Sequence, residues 1–164
     1  MGGRRSGQWG NFLLYIKLNT MIDVIDIILI EDSLSDAEMT VRALKKTHLD
    51  KNLVHLEDGS EAINFIFALG KYSAREVANP KVVILDLNMP KINGFEVLQK
   101  IRSDERTRNI AVVVLTSSKE DSDIKRCYNL GANSYIVKPV DYKEFSQAII
   151  DIGQYWLQLN QISE

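Results

Sequence analysis

The chain has 164 residues, 45% of them hydrophobic and 26% charged, with a formal net charge of −2. This length fits one domain with a sizeable core, the composition is that of a globular protein, and the near-neutral charge argues against a nucleic-acid partner. A single cysteine, Cys127, excludes an internal disulfide and suits a reducing, cytoplasmic setting, and no apolar run reaches the roughly 18 residues of a membrane span.

The leader, MGGRRSGQWGNFLLYIKLNT, carries Arg4, Arg5 and Lys17 without an acid, so the rest of the chain is mildly acidic at −5. Its start matches a short acylation pattern, and the arginines before NFLLYI faintly imitate a signal peptide with no clear cleavage site. The reading adopted is that Met21 is the natural start. Residues 1–21 then form an extension outside the core, 22–160 the folded domain and 161–164 a tail.

Beyond the leader, apolar runs alternate with segments of helical period. Val24–Ile30 reads as a first strand. Leu34, Ala37, Val41, Leu44 and His48 then recur at helical spacing, with Ser33 as the cap and Asp36 three residues on. Leu53–Glu57 is a second strand, and DGSEAINFIFALG a turn and a helix ending at Gly70. KYSAREVANP, a loop or a frayed extra turn, leads to a third strand, Lys81–Asp86. Gly94–Arg102 is a helix with Phe95, Leu98 and Ile101 on one face. IAVVVLTS is a fourth strand, followed by a helix closed by Gly131, in which Cys127 reads as a small buried residue. SYIVK is a fifth strand, broken off by Pro139. A last helix from about Asp141 carries Phe145, Ile149, Ile152, Trp156 and Leu159 as its apolar stripe.

Five strands alternating with five helices imply an α/β domain, a doubly wound parallel sheet covered on both faces. The pattern fits the flavodoxin-like order 2-1-3-4-5, although periodicity alone does not fix strand order. In such sheets ligands bind at the carboxyl ends of the strands. Here those ends carry Glu31 and Asp32, Asp86, Thr116 with Ser117 and Ser118, and Lys138. Taken singly, each has a bland reading as a loop acid, a strand residue or a solvated charge. Their coincidence at one rim does not. Two like charges at ~4 Å cost roughly 4 kcal/mol at an effective dielectric of ~20. A divalent cation removes that cost, and oxygen-only donors without sulfur or imidazole suit Mg²⁺. With Mg²⁺ and Lys138 nearby, Asp86 stays ionised and nucleophilic, which makes it a candidate phosphate acceptor. Lys138 and the Thr116 hydroxyl would neutralise the incoming oxygens.

These residues resemble the receiver domain of two-component response regulators. The likeness rests on the acid pair Glu31–Asp32, DLNMP followed by NGFE, LTS after strand four, and YIVKP around strand five, and it covers about residues 24–159. It implies that Asp86 takes a phosphoryl group from the phosphohistidine of a sensor histidine kinase. Asp32, Asp86 and the backbone carbonyl of Asn88 would bind Mg²⁺ directly, and Glu31 largely through water. Thr116 and Lys138 would contact the phosphate, with Tyr135 in the aromatic switch position. Phosphorylation would remodel the surface of helix four, strand five and helix five. The longer segment before strand three and the YWLQL ending are similar to stand-alone receivers of cyanobacterial phytochrome systems and related archaeal ones. In two places the sequence departs from the simplest pattern. Glu31 replaces the more frequent first aspartate, and the leader has no counterpart.

Other functions fit less well. A dehalogenase-type phosphatase needs a second aspartate two residues after the nucleophile, where this chain has Asn88. A flavin or nucleotide carrier needs a neutral or Gly-rich anion cradle, and EDSLSD repels phosphate. A DNA-binding output domain needs about 60 further residues or more, and only Asn160–Glu164 follow the last helix. The expectation is therefore a phosphoacceptor signalling protein, not an enzyme, acting on a downstream protein target or a homodimer partner. The rival is a pseudo-receiver that binds a partner without phosphorylation. Tyr155, Trp156 and Leu159 exceed what a short last helix needs; they are read either as a dimer contact or as packing on the neighbouring helix or the leader.

Overall fold

The computed structural model describes residues 24–162. The leader, with Trp9 and Tyr15, and the proposed boundary at residues 21–22 lie outside the described residues. Five strands form one parallel sheet in the order β2-β1-β3-β4-β5. They are β1 (Ile27–Ile30), β2 (Leu53–Leu56), β3 (Val82–Leu85), β4 (Val112–Thr116) and β5 (Ser134–Val137). Between and after them run α1 (Leu34–Lys46), α2 (Gly59–Ile66), α3 (Gly94–Ser103), α4 (Asp121–Asn129) and α5 (Tyr142–Gln154). This is the flavodoxin-like fold that the alternation implied.

The central strands have no polar face because both faces are covered. Successive side chains point to opposite sides of a strand. Thus Ile28, Ile30, Val83, Leu85, Val112 and Val114 share a core with residues of α2, α3 and α4, among them Phe65, Leu98, Ile101 and Cys127. Ile27, Leu29, Val82, Ile84, Val113 and Leu115 share the other core with Val41 and Leu44 of α1 and Phe145, Ile149 and Ile152 of α5. Each fully buried large aliphatic side chain contributes about 1.5–3 kcal/mol. A one-residue slip of any strand would exchange the two layers, which fixes the register. Ile30 stands opposite Leu85, and Thr116 opposite Val137. β5, at the edge, is only half-buried along its length.

The helix ends differ from the sequence expectation in three places. α1 stops at Lys46, and His48 lies beyond it as an exposed residue with φ 58°. There the Leu49 N–H donates to the Leu44 carbonyl and the His48 N–H to that of Lys45, a Schellman closure with His48 in the left-handed position. α2 closes in the same way. The Leu69 N–H donates to Asn64 and the Ala68 N–H to Phe65, so Ala68 (φ 54°) rather than Gly70 terminates it. Gly70 opens a 3₁₀ turn through Tyr72. The last helix passes into a wider π turn, Tyr155–Leu159. That change of period rotates Leu159 off the buried stripe to 69% exposure, while Trp156 stays half-buried against α1 and α5. Gly131 (φ 94°) does close α4, as its position suggested.

Candidate functional site

The sheet register builds the site. Since Ile30 pairs with Leu85, the next residues on the two central strands are Glu31 and Asp86, side by side at the carboxyl edge. The Asp86 N–H donates to the Ile30 carbonyl at 3.0 Å and the Glu31 N–H to the Leu56 carbonyl at 3.1 Å, so both backbones are fixed by the ladder. On the other side, the Lys138 N–H donates to the Thr116 carbonyl at 2.7 Å and brings the fifth strand's lysine to the same rim. Gly94 holds the loop after β3 against the site. A Cβ there would stand 2.3 Å from the Asp86 carbonyl oxygen.

Glu31, Asp32 and Asp86 each present a carboxylate oxygen, and these oxygens all lie within 4.8 Å of one another. Glu31 and Asp86 are buried, whereas Asp32 is exposed. The Lys138 ammonium reaches into the group, donating to Glu31 Oε2 at 2.6 Å, Asp36 Oδ2 at 2.8 Å and Asp86 Oδ2 at 3.2 Å. Burial, then the Asp86 charge, push the Glu31 carboxyl up to about 7, against the pull of Lys138. Burial would depress the Lys138 ammonium, but the hydrogen bonds it donates to Asp36 and Glu31 outweigh it and hold the group above its usual range. The pocket is therefore short of positive charge, and its donors are all oxygen. That donor chemistry fits a hard divalent cation.

The remaining expected residues lie around this centre. Thr116 is fully buried at the end of β4, and its hydroxyl accepts a long hydrogen bond (3.4 Å) from the Ser118 N–H. Tyr135 is half-buried on β5, and its hydroxyl donates to the Ser118 carbonyl at 3.1 Å. Asn88 is exposed; its N–H points at Asp86 Oδ1, 3.4 Å away. Cys127 is fully buried on the core-facing side of α4, and burial pushes its thiol up to about 11, so it offers no nucleophile at neutral pH.

Two residues escaped the sequence reading. Asp36 looked like the carboxylate of a helix cap. Ser33 does cap α1 through the Asp36 N–H at 3.3 Å, but the Ser33 N–H donates to Glu31 Oε1 instead of Asp36. The Asp36 carboxylate is thus left for Lys138. Its place in the first turn of α1, at the same sheet edge as the acids, was the available signal. His55, buried within β2, has Nε2 2.8 Å from the Glu31 carbonyl oxygen. A lone histidine inside an apolar strand was its only mark in the sequence.

Comparison with known proteins agrees with this geometry. The family described as response regulator receiver domain matches residues 27–150. The probable methanogenesis regulatory protein FilR2 of Methanothrix harundinacea is 36% identical over 139 residues, which is 85% of this chain and 88% of that protein. Among solved structures, the phosphorylated cyanobacterial phytochrome response regulator RcpA superposes with a TM-score of 0.79 at 33% identity, over 86% of this chain and 99% of RcpA. The Mn²⁺-bound form of response regulator Rcp1 gives 0.77 at 33% identity, over 85% of this chain and 99% of Rcp1. Among the described residues, no helix is long and apolar enough to cross a membrane.

Proposed function

Because this chain belongs to the response regulator receiver domain family, we propose that it accepts a phosphoryl group on Asp86 from the phosphohistidine of a sensor histidine kinase. An Asp86 carboxylate oxygen attacks phosphorus as the phosphorus–nitrogen bond breaks, and the released imidazole nitrogen keeps the electron pair. The observation that carries this reading is the Lys138 ammonium 3.2 Å from Asp86, in a group of carboxylates that no single lysine can neutralise.

Glu31, Asp32, Asp86 and the backbone carbonyl of Asn88 would hold Mg²⁺, which when bound supplies the positive charge that the phosphoryl oxygens and the crowded carboxylates need. Asp86 lies 3.2 Å from the Lys138 ammonium and is oriented by the Asn88 N–H at 3.4 Å. Lys138 follows the phosphoryl group, and the Thr116 hydroxyl turns from Ser118 toward it. Tyr135, tied to Ser118 in the unmodified protein, would then swing in behind Thr116. The surface of α4, β5 and α5 changes, and a downstream protein target or a second copy reads it. Exposed Tyr128, Tyr155 and Leu159 offer apolar contact there. The same groups serve the reverse step, loss of the phosphoryl group to water, so the protein is a signalling switch that assists its own chemistry. Residues 22–160 are the receiver domain, around the family match at residues 27–150, and its setting is the cytoplasm.

The test is phosphate incorporation from acetyl phosphate with Mg²⁺, read by intact mass. Wild type is expected to gain one acid-labile phosphoryl group only with Mg²⁺, and Asp86→Asn none. Unchanged incorporation in Asp86→Asn would overturn the site. No incorporation from acetyl phosphate or a cognate kinase, with the fold intact, would favour a phosphorylation-independent adaptor.

A further inference from the structure

Lys138 has three ammonium protons and three carboxylate partners, so its donors are fully used before any phosphoryl group arrives. A phosphoryl group on Asp86 sits beyond that carboxylate. An ammonium that follows it must lengthen one of its two other bonds. Those two bonds are not equivalent. The Glu31 side chain is 3% exposed, and Lys138 is the donor to its Oε2, so losing that bond strands a buried acceptor. The Asp36 side chain is 27% exposed and water can take over its oxygen. Asp36 also comes from α1 rather than from the rim of the sheet, and its backbone is pinned by the Ser33 cap and by the Thr40 hydroxyl, which donates to its carbonyl at 2.8 Å.

From this geometry we propose that Asp36 is a positioning residue that parks the Lys138 ammonium beside the acceptor and releases it to the incoming phosphoryl group. Asp36 is thus an internal competitor of the phosphoryl oxygens. It stabilises the unmodified state and sets how readily the lysine is handed over. The helix α1 carboxylate therefore tunes the phosphorylation equilibrium through Lys138, without touching the reacting atoms. This rests on the reading of Asp86 as phosphoacceptor.

The test uses beryllofluoride at saturating Mg²⁺ as the phosphoryl analogue, with affinity read by ¹⁹F NMR on the full chain. Asp36→Asn is expected to bind it about threefold to tenfold more tightly than wild type, the scale of one part-exposed charge-assisted hydrogen bond. Asp36→Glu, which keeps the anion, should return toward wild type. In a Lys138→Met background Asp36→Asn should change nothing, because the coupling passes through the ammonium. An equal gain without Lys138 would mean that only a negative charge was lost, and would overturn the proposal. So would wild-type affinity in Asp36→Asn. The Lys138 ¹⁵Nζ resonance gives an independent reading. It should differ between wild type and Asp36→Asn without beryllofluoride and coincide once it is bound; a difference that persists in the bound state refutes release. Failure of wild type itself to bind beryllofluoride, with Asp86→Asn equally silent, would instead remove the phosphoacceptor reading and this inference with it.

Discussion

Replacing Lys138 by Met should destabilise the protein in a manner that depends on pH. The substitution keeps the aliphatic stem and removes the ammonium from three carboxylates, two of them, Glu31 and Asp86, almost wholly buried. Breaking a buried pair from one side costs about 3–5 kcal/mol when the orphaned charge cannot escape. Glu31 can escape by taking up a proton, since its carboxyl already titrates at about 7. A carboxyl raised in the folded state binds more protons there than in the unfolded chain. Stability from that proton is therefore present below the unfolded value and is lost as pH rises toward the folded one. In wild type this loss ends near pH 7, where Glu31 ionises with Lys138 beside it. In the variant the carboxyl must stay protonated to higher pH, and stability keeps falling by about 1.36 kcal/mol per pH unit. Between pH 7 and 8.5 the variant should lose roughly 2 kcal/mol more than wild type, with little further difference between pH 6 and 7. Urea unfolding in Mg²⁺-free buffer at pH 6, 7 and 8.5 measures this directly. A difference between variant and wild type that stays flat across that range would refute the coupling of Glu31 to Lys138.

One other substitution and one chemical probe examine the packing around the site. Gly94→Ala places a methyl 2.3 Å from the Asp86 carbonyl oxygen and 2.7 Å from the Leu87 Cα. Backbone rather than a flexible side chain must move, so thermal melts should show a loss of about 1–3 kcal/mol and acetyl phosphate should label the variant more slowly. Cys127, buried and with its thiol pushed up to about 11, should react with a thiol-specific disulfide reagent at pH 8 only after denaturation. Rapid labelling of the native protein would contradict the packing of this α4 residue in the core.

The strands and the rim were legible because each depends on a local signal. A run such as Val82–Leu85 is apolar throughout, and the carboxylate that ends it must lie at the sheet edge. Five such runs place Glu31, Asp86, Thr116 and Lys138 at that edge whatever the order of strands. The helix ends were less legible. Ala68 and His48 adopt a left-handed backbone that their side chains do not favour, because closing bonds to Asn64 and Leu44 carry the chain toward its next strand. Nothing in either residue announces that. Asp36 misled for a related reason. Three residues after a serine, a carboxylate looks like a cap, and its real partner lies 102 residues later in the chain. A contact set by the fold of the whole domain leaves no periodic trace.

The strand order divides the site into an anchored half and a loose half. The acids stand on β1 and β3, each flanked on both sides by another strand. Tyr135 belongs to β5 and Lys138 directly follows it, and this strand has a neighbour on one side only and is half-buried throughout. Opening the anionic half would mean breaking the middle of the sheet, whereas the cation can travel while a single ladder flexes. The negative wall thus acts as a fixed electrode and the outer strand as the lever that responds to it. Under the proposed phosphorylation of Asp86, the ladder with least support is the outer one, between β4 and the edge strand.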